Sequence, residues 1–155
     1  MTDADLPTFF NQQADPEATR MAVFPARDRA AFDGHWAKIR ADETNVIRTV
    51  VVDGAVAGNV LCFGPPHARE VGYWLGRPFW GRGVASSALA LFLDEVTERP
   101  LYAHVARHNA GSARVLVKCG FRLVAEHPTP PEDPAGVELV FALDGTSSSE
   151  RPSGR

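Results

Sequence analysis

Residues 70–93 of the chain, EVGYWLGRPFWGRGVASSALALFL, join a strand-like run to a glycine-bearing loop and then to a helix whose first turn holds only small side chains. Gly81 and Gly83 let backbone N–H groups come close to an anion. The first N–H groups of a helix have no internal partner and carry partial positive charge, so a phosphate placed there would be satisfied. Val84, Ala85, Ser86 and Ser87 leave room for such a group, and Arg82 adds a positive charge. The same glycines would also serve a plain strand-to-helix turn. Better-known phosphate loops do not fit. The chain holds no GxxxxGK[ST], and no GxGxxG followed by an acidic residue about twenty positions on, which removes support for nucleoside triphosphate and nicotinamide binding.

The elements that must position this loop can be read from the flanking sequence. Asp5 ahead of Leu6-Pro7 reads as an N-cap with proline in the first turn, and DRAAFDGHWAKIRAD predicts a second helix. Phe32, Trp36 and Ile39 recur there at helical spacing and are read as core. From Val46 the pattern becomes β-branched. VIRTVVV and AVAGNVLCF, separated by Asp53-Gly54, predict an antiparallel hairpin with a two-residue turn. REVGYWL follows Pro65-Pro66 as a third strand. The helix after the glycine loop is predicted from Val84 to Glu98, with Ala88, Phe92 and Val96 on one face and Ala85, Leu89 and Leu93 beside them. LYAHVA is a strand. Asn109 caps a further helix running through SARVLVKC to Gly120, a residue suited to its C-terminal end. Two closing strands, FRLVAEH and VELVFALD, are joined by PTPPEDPAG.

This order of two helices, three strands, helix, strand, helix and two strands predicts a mixed α/β (α+β) domain. A single, mostly antiparallel central sheet would carry helices on both faces. The domain is expected over residues 1–144. The small, polar residues 145–155, GTSSSERPSGR, are read as a disordered tail.

With 155 residues, 45% of them hydrophobic and 23% charged, the chain has the length and composition of one soluble globular domain. A net charge of -3 argues against a broad surface for nucleic acid or anionic membrane, so an anionic ligand must be held locally. Cys62 and Cys119 form neither a CxxC pair nor a metal-ligand cluster, which points to a reducing compartment and to no metal. No basic leader precedes an apolar stretch, and no run approaches roughly eighteen apolar residues. The expectation is a cytoplasmic monomer or homodimer with neither nucleic acid nor membrane as partner.

WGRGVA resembles the pyrophosphate-binding motif [QR]xxGx[GA] of the GNAT acetyltransferase superfamily, with Trp80 at its first position, Gly83 at the glycine and Ala85 at its last. Tryptophan departs from the general pattern. It resembles the WG pair common in the branch of ribosomal-protein alanine N-acetyltransferases. HNAGSARVLVKCGF is similar to that branch's NxxSxxxLxKxGF segment, with Asn109, Ser112, Leu116, Lys118, Gly120 and Phe121 in register. The resemblance covers residues 46–143 and is faint before them. There the family opens with a strand that is here absent or very short, so that either the sheet lacks an edge strand or the true start lies upstream.

The resemblance implies an acyl-CoA N-acyltransferase fold with acetyl-CoA as co-substrate. It sets Trp74, Leu75 and Gly76 along the pantetheine arm, and backbone of Gly81, Arg82, Gly83, Val84, Ala85 and Ser86 around the pyrophosphate. Asn109 would position the arm, serve as an N-cap, or do both. Glu70, which opens the strand leading to the loop, falls where the family carries a glutamate that takes the proton from the attacking amine. A solvated edge-strand glutamate is the alternative, and His67 is the reserve base. His104 and His108 are read as structural or rim residues.

The tyrosine that many members carry seven positions after the asparagine is here Leu116. Ser112 matches the serine of the ribosomal-protein branch and could donate one hydrogen bond to the leaving thiolate, or bond back within its helix. Cys119 is read as a small buried hydrophobe. The activity implied is direct transfer of an acetyl group, in a ternary complex, to a primary amine on a protein N-terminus or a small molecule. The alternative is an acyl-CoA-binding module without catalysis. The first two helices and the loop before the last strand are expected to choose the acceptor.

Overall fold

In a computed structural model, which describes residues 1–145, the elements ahead of the first strand are all helical. A 3-10 turn at Asp3–Asp5 leads into α1 (Leu6–Gln13), α2 (Pro16–Ala22) and α3 (Arg29–Ala41). Sequence reading gives two helices here, and the structure has three. The extra one, α2, is too short to show helical periodicity, but its punctuation is clear. Asp15 accepts a hydrogen bond from the Glu17 N–H at 3.0 Å, proline fills the first turn, and Val23 ends the helix in a left-handed conformation (φ 52°).

β1 (Val46–Val52) and β2 (Ala55–Phe63) form the expected hairpin. Asp53 and Gly54 both take positive φ, 51° and 78°, as a type I′ turn requires. β3 (Arg69–Leu75) follows, then α4 (Val84–Glu95), β4 (Leu101–Ala106), α5 (Ala110–Lys118), β5 (Arg122–Pro128) and β6 (Val137–Leu143). Helix α4 stops three residues short of the expected Glu98. The chain turns extended at Val96, and Arg99 satisfies helix-end carbonyls by donating to Val96 at 2.7 Å and to Leu93 at 3.5 Å. Pro100 forbids a continuing helix. At the end of α5, Gly120 (φ 94°) donates to Val117 and Phe121 donates to Leu116. This is the paired closure of a Schellman motif, which only glycine enters without strain. The expected tail, from residue 146 on, lies outside the described residues.

The six strands run in the order β1-β2-β3-β4-β6-β5, and every neighbouring pair is antiparallel except β3–β4. One face carries α4 and α5 over a core that includes Val60, Cys62, Leu89, Phe92 and Leu116. The other carries α1 and α3, whose Phe9, Phe32 and Trp36 close over Ile47 and Val56. The mixed sheet with helices on both faces is therefore present. Its unusual feature is the parallel pair. β3 and β4 meet only at Arg69 with Leu101 and Glu70 with Tyr102, and beyond these two rungs they separate.

Candidate active site

The fork between β3 and β4 opens into a groove of about 710 Å³. Tyr73, Trp74 and Leu75 line it from β3, Asn109 and Ser112 from the start of α5, and Ala18, Met21 and Ala22 from α2. The glycine loop and the first turn of α4, from Gly81 and Gly83 through Val84, Ala85 and Ser86, complete the wall.

This helix start differs from the others of the chain in its capping. Helices α2, α3 and α5 each have an Asp or Asn side chain accepting an N–H of the first turn, whereas the N-cap of α4 is Gly83, which has none to offer. The first internal bond of α4 runs from the Ser87 N–H to the Gly83 carbonyl at 3.1 Å. The N–H groups of Val84, Ala85 and Ser86 precede it and have no acceptor among the described residues. Gly81 and Gly83 hold φ of 69° and 74°, and a Cβ built on either meets nothing within 4 Å. Their glycines answer to backbone conformation, and the space beside them stays open for a ligand. Trp80 ties the loop down, its indole Nε1–H donating to the Leu75 carbonyl at 3.0 Å. The Arg82 guanidinium lies 5.7 Å from the centre of the Phe79 ring, at the rim of the loop.

At the other end of the groove, Tyr73 and Ser112 form a pair that sequence reading missed. The tyrosine hydroxyl is 2.6 Å from Ser112 Oγ and 3.2 Å from the Ser112 carbonyl. Burial pushes the phenol up to about 12, against the opposing pull of the Ser112 hydrogen bond, so it stays protonated through the neutral range. The signal was strand alternation. Val71, Tyr73 and Leu75 point to the face covered by α4 and α5, and Glu70, Gly72 and Trp74 to the opposite one.

Residues 1–122 match the model of the GNAT acetyltransferase domain. The chain belongs to the GNAT acetyltransferase family. The match takes in the first 45 residues, where the sequence resemblance is faint. Comparison with curated proteins finds no match. Among solved structures, the spermidine N-acetyltransferase from Vibrio cholerae in complex with CoA and spermine is 14% identical. That alignment covers 93% of this chain and 92% of the other with a TM-score of 0.81. A GNAT-family acetyltransferase from Bacillus anthracis is 15% identical over 91% of this chain and 89% of its own, with a TM-score of 0.75. An aminoglycoside acetyltransferase in complex with coenzyme A is 13% identical over 93% and 91%, with a TM-score of 0.76. These likenesses show the GNAT fold.

Within this GNAT domain the expected residues separate into groups. Trp74, Leu75, Gly81, Gly83, Val84, Ala85, Ser86, Asn109 and Ser112 border one groove. Asn109 is an N-cap as well, its Oδ1 accepting from the Ser112 N–H at 3.2 Å. Gly76 serves packing, since a Cβ there would lie 2.9 Å from Gln12 Nε2 on α1. Glu70 stands at the apex of the fork on an interior strand, so the edge-strand alternative does not apply. Its Oε1 is 3.6 Å from His104 Nε2. His67 is exposed in the turn ahead of β3, with φ 65°. His108 Nε2 lies 3.2 Å from the Arg20 carbonyl, between α2 and the approach to α5. Cys119 places its thiol 3.5 Å from the Ser86 carbonyl, and burial raises its pKa, opposite to what a thiolate nucleophile needs.

Proposed function

We propose that this GNAT protein moves an acetyl group from acetyl-CoA to a primary amine by direct attack in a ternary complex. The observation that carries the reading is the uncapped start of α4 at the mouth of a forked parallel strand pair. The pyrophosphate fits the free N–H groups of Val84, Ala85 and Ser86. The arm of the co-substrate fits the fork, where β3 beyond Glu70 has lost its pairing with β4 and offers unpaired backbone. The thioester then comes to the apex, between Glu70 on one face of the sheet and the Tyr73–Ser112 pair on the other.

The chemistry follows from these groups. An ammonium cannot attack, so its proton must leave, and Glu70 can accept it directly or through a water. The amine adds to the thioester carbonyl, and as the intermediate collapses the C–S bond breaks and the surplus proton of the nitrogen passes, directly or through water, to the departing sulfur. The departing thiolate needs a donor. With the phenol, protonated at neutral pH, turned to donate to Ser112 Oγ, the serine hydroxyl hydrogen is left for the sulfur.

The acceptor is a primary amine of a protein N-terminus or a small molecule. The resemblance to the ribosomal-protein branch supports the first, and the spermidine and aminoglycoside acetyltransferases among the structural relatives support the second. Acetyl-CoA-dependent thiol release with spermidine, an aminoglycoside and an alanine-initiated peptide tests the proposal. Release with one of them is the expected result. Binding of acetyl-CoA without release across a wide amine panel would overturn catalysis and leave a binding module.

A further inference from the structure

Three titratable side chains from three strands converge beside the fork. Glu70 on β3, His104 on β4 and Glu138 on β6 lie on the sheet face opposite α4 and α5. His104 stands between the two carboxylates. Its Nε2 is 3.6 Å from Glu70 Oε1, and its Nδ1 is 3.3 Å from Glu138 Oε2. All three side chains are partly exposed, at 36 to 41%.

Glu70, as the base of the proposed reaction, must lose the proton it has taken before it can act again. A neutral imidazole has one N–H and one lone pair, so it can face only one of two carboxylates as a donor. With its proton on Nδ1, toward the nearer carboxylate of Glu138, the ring turns its Nε2 lone pair toward Glu70. That lone pair is complementary to a protonated Glu70 and not to an ionised one. We propose that His104, oriented by Glu138, is a positioning and relay residue that takes the proton from Glu70 and passes it to solvent. The inference rests on Glu70 being the base.

The step balances without a further reactant. The acceptor ammonium gives a proton to a Glu70 oxygen, and the Glu70 O–H bond breaks as Nε2–H forms. The imidazolium so produced donates at Nδ1 to the Glu138 carboxylate, which offsets its charge, and then releases the added proton to water at its exposed edge. Glu70 is again a carboxylate and His104 again neutral. No electrons change hands. Other ionisable groups of this face include Tyr102 on β4, Arg122 and His127 on β5, Asp15, Glu17 and Arg20 at α2, which packs against β4, and Asp5 and His35 on the α1 and α3 side of the same face. Arg122 is paired with Asp144, and Arg20 with Glu17. His127 sits across from Glu138 in the β5–β6 register and is the one other imidazole positioned to compete for it.

The ring nitrogens of His104 can be read directly by ¹⁵N NMR in the full chain, with no acceptor present. The expected neutral ring carries its proton on Nδ1, and Glu138→Gln shifts population to the Nε2–H form. A wild-type ring protonated on Nε2, or one unmoved by Glu138→Gln, would overturn the relay. In turnover with the fastest amine among spermidine, the aminoglycoside and the alanine-initiated peptide, His104→Gln should be about tenfold slow. That is a fraction of the hundredfold or more of general base catalysis, and KM for acetyl-CoA should be unchanged. Added imidazole should restore rate to His104→Ala, and His104→Gln should add little to Glu70→Gln. A slow Glu70→Gln beside a fully active His104→Gln would remove the relay and keep the base. A fully active Glu70→Gln would remove both.

Discussion

The Tyr73 hydroxyl and Ser112 Oγ lie 2.6 Å apart, joining the strand on one side of the fork to the first turn of the helix on the other. Leu116 occupies the position at which many GNAT members carry a tyrosine, and here a phenol from β3 reaches the same helix. In the proposed reaction the phenol donates to Ser112 Oγ, so that the serine hydrogen is left for the sulfur.

Tyr73→Phe keeps the ring and deletes the outer hydroxyl. Turnover should fall about tenfold, the value of one charge-assisted hydrogen bond to the leaving group of roughly 1.5 kcal/mol. Acetyl-CoA affinity should stay within about twofold, as judged by calorimetric titration. The same variant has a stability signature. The native phenol titrates near 12 and the unfolded one near 10, so the folded state holds this proton more tightly. Its contribution is complete below the unfolded value and is lost as pH rises from about 10 to about 12. Wild type should therefore shed about 2 to 3 kcal/mol more than Tyr73→Phe over that window, measured by denaturant unfolding. Parallel stability curves would mean that the hydroxyl is solvated.

Gly83→Val addresses the anion site. A β-branched residue at φ 74° is strained by about 1 to 2 kcal/mol, and the strain is relieved by turning the N–H groups that follow. Acetyl-CoA at a hundredfold excess over Kd should stabilise wild type by about 2.7 kcal/mol, or roughly 5 to 10 °C in Tm. The variant should melt lower and gain nothing from the ligand. Gly136→Val is the control, because that glycine also has positive φ (65°) and open space around it but lies away from the groove. It should lose stability and keep the ligand-dependent rise.

Trp80→Phe probes the tether of the same loop. Removing the indole N–H leaves the Leu75 carbonyl without this donor, at a cost of about 1 kcal/mol. Because the tether joins the end of β3 to the residue before Gly81, acetyl-CoA should bind about fivefold more weakly by titration, with turnover at saturation little changed. A larger effect on turnover than on affinity would place Trp80 nearer the thioester than the pyrophosphate.

What could be read from the residues was whatever lies close together in the chain. Asp53-Gly54 declared its hairpin, Asn109 its cap and Gly83 its uncapped helix, because each depends on local backbone conformation alone. Helix α2 carried equally local punctuation in Asp15-Pro16, but its seven residues are too few for a period to confirm it. The end of α4 was misplaced because Arg99 caps it from beyond its own end. Tyr73 with Ser112 and Glu70 with His104 were out of reach for a different reason. They join residues 39 and 34 positions apart, and their meeting depends on strand order, with β3 set beside β4. A lone His in LYAHVA has no visible partner until the parallel rung of Glu70 with Tyr102 sets the register.

Glu70→Gln tests the base. Glutamine has nearly the same shape and still accepts a hydrogen bond, but it cannot take a proton at neutral pH. Glu70 sits at the apex of the fork, whereas the free N–H groups of α4 lie at its mouth, so the substitution should leave acetyl-CoA affinity within about twofold. Turnover should fall by about a hundredfold to ten-thousandfold, the usual contribution of a general base, or roughly 3 to 5 kcal/mol of barrier. The deficit should narrow as pH rises, because more of the acceptor amine then arrives deprotonated and needs no base. Steady-state rates of both proteins across a pH series, with the amine that releases thiol fastest, supply the comparison. A deficit constant across pH would show that Glu70 acts by holding the ammonium in place rather than by taking its proton. Equal turnover at neutral pH would remove it from the mechanism.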